Sequence, residues 1–139
     1  MKGLFITATG TDVGKTMITG AIAAACKGRG IHIGVFKPLA SGAVRDKAGQ
    51  LVSEDASFLM KAAGIGESER GIVNEICLEP ALTPAVAAKA SGIVINIEQV
   101  IENMLHNAQF YDAVLIEGVG GLTAPLWENY LVADLMERL

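Results

Sequence analysis

Short apolar runs alternate with helix-period segments along almost the whole chain, and this alternation most constrains its fold. Leu4 to Ala8 reads as a buried strand, Ile31 to Lys37 as a second closed by Pro38, and Ala113 to Glu117 as a near-continuous apolar third. Lys15 to Lys27 reads as a helix with Ile18, Ala21, Ile22, Ala25 and Cys26 at helical spacing on its core face. Lys27-Gly28-Arg29-Gly30 stops it, with basic residues near the last carbonyls and then glycine. Ser53 caps a helix running through Met60 and Ala63 to Gly64; Ile72 to Leu78 reads as a short strand. Thr83-Pro84 opens an alanine-rich helix, since proline is tolerated in a first turn. Asn96 caps the clearest amphipathic helix, with Ile97, Val100, Ile101, Met104, Leu105 and Ala108 on one face, and Leu131 to Leu139 forms a last helix. Strands apolar on both faces and separated by helices belong to a parallel sheet covered on both sides. The expected class is α/β, in one domain without repeats or linkers.

Composition narrows what such a domain can do. Its 139 residues are 51% hydrophobic and 19% charged, enough for one core and incompatible with a disordered chain. With 11 basic and 15 acidic residues the net charge is −4, which argues against a nucleic-acid partner. Any anionic ligand must be held by a local site. The longest charge-free run, Thr16 to Cys26, has 11 residues, short of the ~20 that span a bilayer. Asp12 and Lys15 follow the apolar start too closely for a signal peptide. Cys26 and Cys77 form no CxxC pair and read as buried thiols in a reducing compartment, so a cytoplasmic location without membrane contact is expected. His32 and His106 have no second ligand at metal-binding spacing, and Trp127 and Tyr130 read as packing or interface residues.

Three stretches carry chemistry. The first, Ala8-Thr9-Gly10-Thr11-Asp12-Val13-Gly14-Lys15-Thr16, lies between the first strand and the first helix. Backbone amides at a helix N-terminus cradle anionic oxygens, Lys15 can reach the outer phosphates, and Thr16 can place its hydroxyl on Mg²⁺. The strict GxxxxGK pattern is not met, because Thr9 stands at its first glycine. The second is Lys37-Pro38-Leu39-Ala40-Ser41-Gly42, at the carboxyl end of the second strand, where parallel sheets form their ligand crevice. Spacing alone leaves Lys37 open between a second phosphate-facing ammonium and a solvated strand-end lysine. The third is Glu117-Gly118-Val119-Gly120-Gly121, an acid delivered by an apolar strand and followed by glycines. Such an acid suits a Mg²⁺–nucleotide site, whereas the plainer reading is a glycine turn with an exposed glutamate. Asp55, in a first helical turn, is a weaker candidate of the same kind.

Together these stretches resemble the dethiobiotin synthetase family. Its longer phosphate loop, GTxTxVGKT, is similar to Ala8 through Thr16; its KPxxSG is similar to Lys37 through Gly42, and its EGxGG to Glu117 through Gly121. Pro125-Leu126 falls where that family often has a PL pair, and the likeness runs from Phe5 to about Asp134. Two positions depart: Ala8 replaces the usual first glycine, and Thr83-Pro84-Ala85 stands where the family often has SPH.

The resemblance implies a three-layer, P-loop NTPase-like parallel sheet and a single nucleotide-binding domain over residues 1–139, C-terminally truncated. It implies ATP and Mg²⁺ as cofactors, diaminopelargonate and CO2 as substrates, and a homodimer. Lys15 and the amides of Asp12, Val13, Gly14, Thr16 and Met17 would hold ATP phosphates, with Thr11 near the γ-phosphate and Gly118, Val119 and Gly120 beside the nucleotide. Thr16, Asp55 and Glu117 would ligate Mg²⁺, Lys37 would stabilise the transferring phosphoryl group, and Ser41 would bind a carbamate. Truncation implies poor discrimination between bases, little synthetase activity and an exposed sheet edge. Two other functions fit a phosphate loop. A partition-type switch ATPase often has an extra lysine early in the loop, and none lies between Gly3 and Gly14. A cobyrinate-type amide ligase would need an added glutaminase domain.

Overall fold

The computed structural model describes residues 2–139. The elements follow in the order β1 (Gly3–Ile6), α1 (Lys15–Gly28), β2 (Ile33–Phe36), β3 (Leu39–Ser41), β4 (Val44–Arg45), β5 (Leu51–Val52), α2 (Glu54–Ala63) and α3 (Arg70–Val73). Then come β6 (Ile76–Leu78), α4 (Pro84–Ala90), α5 (Ile97–Ala108), β7 (Ala113–Glu117), β8 (Pro125–Trp127), β9 (Tyr130–Leu131) and α6 (Val132–Glu137). The main sheet is parallel, in the order β1-β7-β2, so β7 is central although it comes late in sequence.

Helices cover both faces, as the alternation requires. Ile33, Val35 and Leu115 pack with Ala23 of α1 and Ala56, Leu59 and Met60 of α2 on one face. Phe36, Val114 and Ile116 point the other way, onto Met104 and Ala108 of α5. Neighbouring residues of one strand thus serve opposite layers, the period-2 geometry of a pleated strand. A third cluster joins α4, α5, α6 and β8 through Ala88, Ile101, Leu126 and Val132. Ser53 and Asn96 cap α2 and α5 by accepting from Ala56 and Gln99 N–H, and Gly64 ends α2 in the left-handed region at φ 80°.

Several expectations need correction. The first strand ends at Ile6, not Ala8, and it is an edge strand with Leu4 57% exposed. On α1, Ile18 is 58% exposed and Ala21 and Ala25 are exposed too, while Thr19, Gly20 and Ala23 are buried. Small residues decide that face: a Cβ on Gly20 would meet the Phe58 ring of α2, so the two helices approach through the glycine. On α5, Leu105, predicted on the core face, lies outside the buried face at 37% exposure. The segment predicted as a strand from Ile72 begins as α3 and becomes β6 only at Ile76. Pro38 does not close its strand for good, because the chain resumes as β3 and pairs with β6 in a second small sheet. The last helix begins at Val132, after the hairpin of β8 and β9. Cys26 and Cys77 are free and only half-buried.

Candidate functional site

Strand register brings the site together. Ile6 pairs with Glu117 and Phe36 with Ile116, so the chain leaving β1, Lys37 and Glu117 meet at one end of the sheet. The loop after β1 turns through left-handed backbone at Asp12 (φ 57°) and Gly14 (φ 98°), conformations found in anion-binding nests. Gly14 then starts α1 without a side-chain cap, and no acid occupies the first turn. The helix's first amides are therefore free of side-chain partners, unlike those of α2 and α5. Lys15 Nζ donates to Gly10 O at 2.7 Å, folding its ammonium back over the loop.

The glycine stretch after β7 is laced to that loop. Gly118 N–H donates to Ile6 O at 3.0 Å and Leu122 N–H to Ala8 O at 2.8 Å. Gly121 lies so close that a Cβ there would stand 2.8 Å from Thr9 O, which leaves room only for glycine.

Both charged strand ends are buried, which removes the plainer reading of each. Lys37 is 3% exposed and Glu117 is fully buried. Lys37 Nζ lies 2.6 Å from Glu117 Oε1 and 2.8 Å from Asp55 Oδ2, and Thr16 Oγ1 donates to the same Glu117 oxygen at 2.8 Å. Ser53 starts α2 so that Asp55 falls in its first turn, facing this cluster. Burial pushes the Lys15 ammonium's pKa down from the usual lysine value, and neighbouring Lys37 adds to the shift; Glu117, Asp55 and Asp12 oppose it.

A cavity of about 420 Å³ opens above the cluster. Thr11, Asp12, Gly14, Lys15, Thr16, Met17, Lys37, Ser41, Asp55, Val119 and Gly120 line it, which gathers most of the residues singled out from sequence. Val13 is not among its lining residues and is 58% exposed. Glu117 and Gly118 sit behind its wall, the former reached through Lys37 and Thr16. A second cavity of about 380 Å³ shares Thr11, Asp12, Ser41, Val119 and Gly120 with the first and extends past Ala81, Leu82, Thr83, Pro84 and Ala124. Thr16, Asp55 and Glu117 offer hard oxygen donors suited to Mg²⁺, and Glu117 Oε2 is buried without a hydrogen-bond partner. This donor set fits the ion.

Sequence reasoning missed Asn74. Pro38 interrupts the strand ladder beside Lys37, and the buried Asn74 amide fills the gap by donating to Lys37 O at 2.8 Å and Ile76 O at 3.1 Å. Its signal was faint, half of the polar pair Asn74-Glu75 between two short apolar runs. Leu82, which lines the second cavity, carried none.

Among the described residues, no helix is long and apolar enough to cross a membrane. A family model described as an AAA domain matches residues 2–139. The chain is 37% identical over 142 aligned residues to the ATP-dependent dethiobiotin synthetase of Bacillus cereus, covering 100% of this chain and 55% of that protein. It is 36% identical to the Bacillus thuringiensis protein of the same name over the same shares. For Bacillus subtilis the identity is 33% over 139 residues, again 100% of this chain and 58% of the relative. The chain spans little more than half the length of these relatives.

Proposed function

Since this chain belongs to the AAA-domain family, we propose that it acts as an ATP- and Mg²⁺-dependent dethiobiotin synthetase, with residues 1–139 as one nucleotide-binding unit. One observation carries this reading beyond nucleotide binding. The phosphate-side cavity shares Thr11, Asp12 and Ser41 with a second one, which offers adjoining space for a phosphoryl donor and an organic acceptor. A switch ATPase does not require an acceptor space beside its phosphates. The names of the relatives support the same choice.

In this reading Lys15 and the amides of Asp12, Val13, Gly14, Thr16 and Met17 hold the triphosphate, with Thr11 beside its outer end. Val119 and Gly120 bring backbone against the nucleotide, with Gly118 behind them in the wall of the cavity. Thr16, Asp55 and Glu117 hold Mg²⁺, which when bound offsets the negative charge of the phosphates. Ser41 binds the carbamate formed when CO2 adds to one amine of diaminopelargonate. The carbamate oxygen attacks the γ-phosphorus and ADP leaves; Lys37 stabilises the charge on the moving group. The second amine then attacks the carbamate carbon, the ureido ring closes, and phosphate departs. Phosphorylation is needed because a carbamate oxygen is a poor leaving group until it becomes phosphate. We place the enzyme in the cytoplasm. We also propose that it works as a homodimer, with apolar Leu4, Met17 and Ile18 left exposed along β1 and α1.

Purified protein, with whatever residues its gene continues into, is to be given diaminopelargonate, bicarbonate, Mg²⁺ and ATP. Dethiobiotin should form with one ADP released per ring closed. Vigorous ATP hydrolysis without dethiobiotin would favour the switch ATPase instead.

The lowered pKa of Lys15 gives a pH prediction. The protonated ammonium binds phosphate, so ATP affinity is full below that pKa and falls as pH rises through it. The fall should begin below the ordinary lysine value of 10.5. Measuring Kd for ATP across alkaline pH checks this; affinity that holds up to 10.5 contradicts it.

A further inference from the structure

The carboxylates assigned above to Mg²⁺ are already bridged by a cation of the protein's own. Lys37 Nζ lies between Asp55 Oδ2 at 2.8 Å and Glu117 Oε1 at 2.6 Å, and Thr16 donates to the same Glu117 oxygen. We propose that Lys37 is a built-in stand-in for the divalent cation, holding Asp55 and Glu117 in place and excluding the metal until a phosphate draws the ammonium away. This rests on the assignment of Thr16, Asp55 and Glu117 as metal ligands.

Three physical facts support the exchange. A carboxylate as fully buried as Glu117 is costly to leave without a cation, so the fold needs either the ammonium or the metal. Lysine is a compact charge on a flexible four-carbon stem, so it can turn without moving the backbone that Asn74 clamps. Lys37 also lines the phosphate-side cavity, so the destination of the swing adjoins its present position. Lys15 reaches the same cavity, and two nearby ammonium groups favour a phosphate entering between them. Binding of metal and of phosphate is then coupled. Each ligand supplies what the other displaces, and by reciprocity each raises the other's affinity.

The test measures metal binding, not turnover. Mn²⁺, which serves as a spectroscopic probe for Mg²⁺, is titrated into the full chain with and without pyrophosphate. Pyrophosphate should tighten the protein-bound Mn²⁺ by a factor in the usual coupling range of about 5- to 150-fold, after correction for the metal–pyrophosphate complex. In Lys37→Met, Mn²⁺ alone should bind tighter than to the unaltered chain, by about the same factor, and should raise the melting temperature. Lys37→Arg, which keeps the cation, should bind Mn²⁺ alone as weakly as the unaltered chain. Equal Mn²⁺ affinity with and without pyrophosphate overturns the proposal, and this arm stands even where Lys37→Met fails to fold. A folded Lys37→Met that gains no affinity also overturns it. The metal-ligand assignment fails separately if adding Asp55→Asn leaves the Mn²⁺ binding of Lys37→Met unchanged.

Discussion

Glu117→Gln is expected to lower stability by about 3 kcal/mol, the low end for removing one partner of a buried ion pair. The low end applies because Asp55 still pairs with Lys37 at 2.8 Å, although its side chain is 50% exposed. Glutamine keeps the size and one acceptor oxygen, so the loss reads charge and not a cavity. In the folded fraction, Mg²⁺-dependent turnover should fall by about tenfold or more, because one charged ligand of the metal is gone. Urea unfolding and Mg²⁺ titration of the turnover check the two effects separately. A variant as stable as the parent, with the same Mg²⁺ dependence, would remove Glu117 from the site.

Gly121→Ala should weaken ATP binding by about 10- to 100-fold, equivalent to placing the roughly 1–3 kcal/mol of an overpacked contact on the phosphate loop. The added Cβ would stand 2.8 Å from Thr9 O and 3.1 Å from Gly10 N, both backbone atoms of that loop. Neither can give way without shifting Gly10, whose carbonyl accepts from Lys15, and the Leu122–Ala8 hydrogen bond ties the two segments together. Gly71→Ala is the control, because nothing lies within 4 Å of a Cβ there and its backbone is helical. Calorimetric Kd values for ATP decide. Equal affinities in both variants would mean that the glycine stretch does not support the loop.

Much of this was legible in the chain because it was periodic or capped. The three main strands, the caps at Ser53 and Asn96, the stop at Gly64 and the phosphate loop all have local signals, and each lies within a residue or two of its predicted place. What was hidden was either too short to show a period or set by long-range pairing. The ladder of β4 with β5 and that of β8 with β9 involve two or three residues a side, too few to show a period. The buried face of α1 was misjudged because Gly20 and Ala23 pack closely while the larger Ile18 is left 58% exposed. Lys37 and Glu117 were legible as candidates for phosphate and metal, but neither their burial nor their pairing with each other was. Only the register of β7 between β1 and β2 buries them against each other, and only the break at Pro38 gives Asn74 its role.

The central claim is that the γ-phosphoryl group passes to an oxygen that came from CO2. The most direct measurement follows that oxygen. Bicarbonate labelled with heavy oxygen is mixed briefly with protein, ATP, Mg²⁺ and diaminopelargonate, and the released phosphate is examined by mass spectrometry. Attack by the carbamate leaves one labelled oxygen in each phosphate when ring closure expels it. Phosphate carrying only solvent oxygen would mean that water is the acceptor, and the chain would then be an ATPase and not a ligase.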